Sequence, residues 1–97
     1  MLNKEDILHY LGEYKKSHTD KYHISKLGIF GSYARNEARE ESDIDVVVSF
    51  DKPNLFNLSA IMLDLKEHFK TEVDVVALWD KMNPKLKKRI DRDAIYV

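Results

Sequence analysis

Phe30-Gly31-Ser32-Tyr33-Ala34-Arg35, followed after six residues by Ser42-Asp43-Ile44-Asp45-Val46-Val47-Val48, is the stretch on which the reading of this chain turns. Tyr22 to Phe30 reads as a strand that ends at Gly31, and Ser32 to Glu40 reads as a short helix. Gly31-Ser32 therefore lies between a strand end and a helix start. Free backbone N–H groups at a helix start favour anions. Glycine lets a ligand approach the backbone closely, and a serine hydroxyl adds a donor. The pair suits a phosphate, although a serine-capped helix after a turn has the same appearance. Ile44 to Phe50 is an apolar, β-branched run and reads as a second strand. Asp43 and Asp45 stand at its entrance, two residues apart, so their side chains share one face. Neighbouring carboxylates repel unless a cation lies between them, and hard oxygen donors suit Mg²⁺. A solvated strand entrance is the plainer alternative.

Moving outward, Val73 to Leu78 reads as a third strand that carries Asp74. A charge inside an apolar strand calls for a partner. If this strand lies beside the second, Asp74 joins Asp43 and Asp45. Three such carboxylates can hold two metal ions about 4 Å apart, an arrangement suited to in-line attack at phosphorus. Glu72 shares the face and is the rival. Asp74 is preferred because Val73, Val75 and Val76 predict deeper burial there.

The remaining elements follow from periodicity and punctuation. Asn3 caps a first helix with Asp6 in the capping-box position, and Ile7, Leu8, Leu11 and Tyr14 give the apolar stripe. This helix is expected to fade around Lys16, before Ser17 to Lys21. Asp51-Lys52-Pro53-Asn54 breaks the chain, and Leu58, Ile61, Met62, Leu65 and Phe69 then mark an amphipathic helix. Asn83-Pro84 opens a last helix that carries Leu86 and Ile90. The tail Ala94 to Val97 fits an edge strand or a docking segment, and Leu55 and Phe56 fit an interface or ordinary core. The order is α-β-α-β-α-β-α, an α+β layered fold in which a mixed sheet is as plausible as a parallel one.

The chain has 97 residues, 16 Lys and Arg, 17 Asp and Glu, and no cysteine. One domain spanning residues 1–97 is expected. A net charge of −1 argues against an independent nucleic-acid binder, which draws its affinity from a basic excess. Without cysteine there are no disulfides, thiolate metal sites or thiol nucleophiles. The polar N-terminus is unlike a signal peptide, no apolar run is long enough to span a membrane, and a cytoplasmic protein is expected. His9, His18, His23 and His68 are scattered along the chain. Lys85, Lys87, Lys88, Arg89 and Arg92 make the last helix basic, which fits a solvated face or a surface for an acidic partner.

The combined pattern resembles the nucleotidyltransferase superfamily, whose fold is shared with DNA polymerase β, and within it the minimal, MntA-like branch. That pattern is Gly-Ser, a spacer, Asp-x-Asp, and a third carboxylate on a later strand. Here it is Gly31-Ser32, ten residues, Asp43-Ile44-Asp45, and Asp74. The fuller bacterial form, Gly-Ser-x-Ala-Arg and Ser-Asp-x-Asp, is matched by Gly31 to Arg35 and Ser42 to Asp45. Many relatives have glycine after the arginine, where this chain has Asn36, the non-glycine residue best suited to a left-handed backbone.

The resemblance implies transfer of AMP from ATP to an acceptor with release of pyrophosphate. It assigns Asp43, Asp45 and Asp74 to Mg²⁺ and catalysis, with two ions expected, and Gly31 and Ser32 to the β- and γ-phosphates. Arg35 would add charge near the pyrophosphate, or would lock its helix to Glu40-Glu41. Larger relatives append domains for the acceptor, so a chain this short implies that a partner completes the function. In the branch that partner is a HEPN-domain toxin, adenylylated typically on a tyrosine by its antitoxin, as in a type VII-like toxin–antitoxin pair. A binding-only antitoxin with a vestigial site, and an enzyme acting on a small molecule, are the alternatives.

Overall fold

The computed structural model describes residues 2–97. Helix α1 (Lys4–Tyr22) leads into strand β1 (Ile24–Phe30), the single turn α2 (Gly31–Ala34) and strand β2 (Ile44–Phe50). Helix α3 (Leu55–Phe69), strand β3 (Val73–Ala77), helix α4 (Pro84–Asp93) and the short strand β4 (Ile95–Tyr96) follow. The sheet order is β3-β2-β1-β4. β1 is antiparallel to β2 and β4, whereas β2 and β3 are parallel, with α3 as their crossover. The sheet is therefore mixed, within the α+β class expected.

Alternation along β2 assigns its side chains to two cores. Val46 and Val48 join Leu27, Ile29 and Val73 beneath Ile7 and Leu11 of α1 and Ile61 and Leu65 of α3. Val47 faces the other way, with Phe30, Met82 and Ile90, against α4. Because both faces are covered, β2 reads as a continuous apolar run. On the first face Tyr14 Oη donates to Asp64 Oδ2 at 2.7 Å and ties α1 to α3.

The structure departs from expectation at two helices. α1 does not fade at Lys16 but continues to Tyr22. Ser17 and Thr19 donate their hydroxyls to the carbonyls of Glu13 and Lys15 within the helix, rather than opening a turn. His18 stacks between Tyr14 and Tyr22, with ring centroids 4.0 Å and 5.6 Å away, so the polar run carries an aromatic ladder at helical spacing. The helix before the Asp-x-Asp strand is shorter than expected, ending at Ala34 rather than near Glu40. Asn36 takes a left-handed φ of 60°, which stops the turn.

The tail is an edge strand. Ile95 pairs with Ile29, Tyr96 pairs with Gly28, and Val97 N donates to Leu27 O at 2.8 Å. A Cβ at position 28 would overlap the Ile95 carbonyl, so β4 can lie against β1 only because Gly28 has no side chain. Leu55 and Phe56 are 80% and 86% exposed and belong to neither core.

Candidate active site

The site begins where β1 ends. Gly31 has a φ of 75°, a conformation that side-chain-bearing residues rarely adopt. A Cβ on it would overlap Asp45 Oδ2 and lie 3.2 Å from Asp45 Cγ. The Gly31 backbone and the Asp45 carboxylate are thus packed in direct contact, which neither the Gly-Ser reading nor the Asp-x-Asp reading shows alone. Gly31→Ala is expected to displace both, and a misplacement of about 1 Å costs roughly 100-fold in rate. Nucleotidyl transfer should fall by about that factor in a labelled-nucleotide assay, and undiminished transfer would refute the contact's importance.

Sheet register gathers the carboxylates. Phe30 is opposite Asp45, and Asp45 is opposite Asp74, so the three form one row across β1, β2 and β3. Directly opposed residues share a face. Asp43, exposed and just before β2, is two residues from Asp45. Asp45 is half-buried, and its pKa is raised, first by burial and then by the charges of Asp74 and Asp43; Arg89 and Arg35 oppose the shift. One carboxylate therefore responds to both other aspartates of the sequence pattern.

Asp74 is exposed, contrary to the deeper burial that its valine neighbours predict. β3 is an edge strand, and its best-covered side chain, Val73, points to the opposite face, among the residues packed with α1 and α3. The rival Glu72 precedes the strand and pairs with Lys66 at 3.1 Å, with its side chain 68% exposed. Ser42 closes the loop before Asp43: its hydroxyl accepts from Arg39 N at 2.8 Å, and its own N–H donates to Arg39 O at 2.9 Å. Ser32 is half-buried, and its carbonyl accepts from Glu37 N.

Arg35 does not lock to Glu40-Glu41. Its Nη1 lies 2.6 Å from Asp93 Oδ2, and its Nε lies 3.2 Å from Glu37 Oε2. Asp93 also receives Arg92 Nε at 2.8 Å, and only 3% of its side chain is exposed. The Arg92 hydrogen bond first, and then that of Arg35, hold the Asp93 carboxyl down at about 2. Asp93 fastens α4 to the end of α2. The sequence reading did not single it out; its only local signal is a carboxylate one turn after apolar Ile90 and near the end of a basic helix.

The carboxylates suit a hard divalent cation by donor chemistry: all are oxygen donors, and the like charges around half-buried Asp45 call for a counter-charge. They do not form a closed cage, since no group of three or more His, Asp or Glu side chains among the described residues is arranged to hold a metal ion alone.

A mixed sheet with this carboxylate row beside a Gly-Ser turn defines a nucleotidyltransferase. The family model described as "Polymerase beta, Nucleotidyltransferase" matches residues 6–97, and the chain belongs to that family. It is 40% identical to "Putative protein adenylyltransferase MJ1379" of Methanocaldococcus jannaschii, over 100% of each chain. It is 32% identical to "Protein adenylyltransferase MntA" of Thermococcus cleftensis, over 100% of this chain and 98% of that one. A solved structure described as a "putative minimal nucleotidyltransferase" superposes with a TM-score of 0.75 at 30% identity, covering 97% of this chain and 95% of that one. A "toxin-antitoxin with AMP-PNP" shares the fold with a TM-score of 0.71 at 18% identity, covering 98% and 72%. Among the described residues no helix is long and apolar enough to cross a membrane.

Proposed function

We propose that this protein is a Mg²⁺-dependent adenylyltransferase of the cytoplasm that moves AMP from ATP to a hydroxyl of a HEPN-domain toxin partner, acting as that toxin's antitoxin within a single domain of residues 1–97. The register that sets Asp45 against Asp74 beside Gly31 is the observation that carries the reading. Relatives aligned over their whole or nearly whole length and named protein adenylyltransferases support a protein acceptor. A toxin–antitoxin of the same fold with an ATP analogue supports the nucleotide and the partner.

In this reading Gly31 and Ser32 hold the β- and γ-phosphates, and Asp43, Asp45 and Asp74 hold Mg²⁺. When bound, the metal neutralises charge that develops on the phosphoryl oxygens. The acceptor hydroxyl oxygen bonds to the α-phosphorus as the bond from that phosphorus to the bridging oxygen breaks. Pyrophosphate leaves with the electron pair, and the hydroxyl proton passes to Asp74, whose exposure leaves it open to an incoming acceptor. Arg35, held by Asp93 and Glu37, fixes the frame on which the turn sits.

The test is to mix the protein with its toxin partner, ATP and Mg²⁺ and to weigh the partner. Its mass should rise by one or more AMP units, and a tyrosine is the expected site. An unchanged mass with a folded, interacting pair would overturn the reading.

A further inference from the structure

We infer that Arg89 is the residue that binds the negative charge of the nucleotide's triphosphate, the role that the sequence pattern gives to Arg35. The inference rests on the nucleotidyl-transfer reading and adds to it the cation that the site still needs.

The two other arginines where α4 meets the end of α2 are already engaged. Arg35 is taken by Asp93 and Glu37, and Arg92 by the same Asp93. Arg89 is exposed, and among the described residues no carboxylate lies within ion-pair distance of it. Its guanidinium stands 5.9 Å from the centre of the Phe30 ring. Phe30 immediately precedes Gly31 and is the register partner of Asp45, so this seat is at the edge of the carboxylate row and the Gly-Ser turn. A cation held over an aromatic face without a paired anion retains its donors for a ligand.

The placement of Arg89 is set by the helix that carries it. Asp93 anchors α4 to Arg35, and Arg89 lies one turn earlier on the same helical stripe. Ile90, beside it, is buried against Phe30 and Val47. The two points at which α4 meets this part of the chain thus run in step, Arg89 at Phe30 and Asp93 at Arg35. Phosphate is the anion whose geometry a guanidinium fork matches.

Binding of ATP and AMP, each with Mg²⁺, is measured by titration calorimetry on the wild type, Arg89→Gln and Arg89→Lys. Arg89→Gln keeps a stem over Phe30 and removes the charge. ATP affinity should drop about tenfold or more in Arg89→Gln while AMP affinity stays within about twofold, and Arg89→Lys, which restores the charge without the fork, should recover part of the ATP affinity. Unaltered ATP affinity in Arg89→Gln, or equal losses for ATP and AMP, would overturn the assignment. Wild-type protein that bound no ATP would overturn the transfer reading itself.

Discussion

Asp45→Asn is expected to abolish nucleotidyl transfer, by about 10³-fold or more, while the variant melts higher than the wild type near neutral pH. The activity loss follows from the place of this carboxylate. It packs on Gly31, stands opposite Asp74, and is the oxygen donor that both other aspartates surround. Under the proposed function, removing its charge withdraws a ligand of the metal, and with it charge stabilisation of several kcal/mol at the phosphorus. The stability effect has the opposite sign from that of most polar deletions. Because the folded state raises the pKa of Asp45, the native protein binds this proton more readily than the unfolded chain does. The ionised carboxylate therefore opposes folding above the raised pKa, and the penalty fades as pH falls through it towards the ordinary carboxylate value. Asparagine, nearly the same shape and uncharged, removes that penalty. Melting scans at neutral and acidic pH, paired with a labelled-ATP assay, test both halves. The gain in Tm should be largest near neutrality and should shrink in acid. Transfer that survived the substitution would refute the proposed role of Asp45.

These expectations rest on parts of the molecule that differ in how far one sequence discloses them. Gly31 and the pair Asp43 and Asp45 are legible because their meaning is local: a turn needs a positive φ, and alternation puts residues two apart on one face. Asn36 is legible for the same reason, as its φ of 60° shows. The strand core of β2 and the cap Asn83 likewise follow from neighbours within a few residues. Alternating elements alone do not choose between strand directions, so the mixed sheet is legible only through the family resemblance.

What escapes is decided by distant residues. The length of α1 depends on hydroxyls turned back onto helix carbonyls and on an aromatic ladder, whereas Ser, His, Thr and Asp in a row read as a loop. Asp74 is exposed because of its place at the sheet edge, and composition around it carries no information about strand order. Arg35 finds its partner 58 positions away, so its fate cannot be read from the nearby Glu40 and Glu41. Arg89 reads as one cation in a basic run until α4 is seen to set it over Phe30.

The second large effect is on stability. Asp93→Asn should lower Tm by several degrees at neutral pH, a size appropriate to losing an enclosed, doubly bonded carboxylate whose arginine partners are partly solvated. Asp93 is almost fully enclosed and accepts from both Arg35 and Arg92. Its removal leaves two guanidinium groups without their shared counter-charge and unfastens α4 from α2. The pH dependence fixes the mechanism. Asp93 has a folded-state pKa depressed to about 2. Its contribution is fully present above the unfolded carboxylate value and is lost as pH falls through the folded one. The Tm difference between wild type and variant should accordingly hold from neutrality to about pH 4 and close between about 4 and 2. A double-mutant cycle separates this pair from a general loss of packing: Arg35→Ala should cost clearly less in the Asp93→Asn background than in the wild type. Because the same clamp sets the seat of Arg89, Asp93→Asn should also weaken ATP binding at temperatures where the variant is still folded. Fully additive Tm losses, or a difference that persisted unchanged below pH 2, would show that the carboxylate does not act through this ion pair.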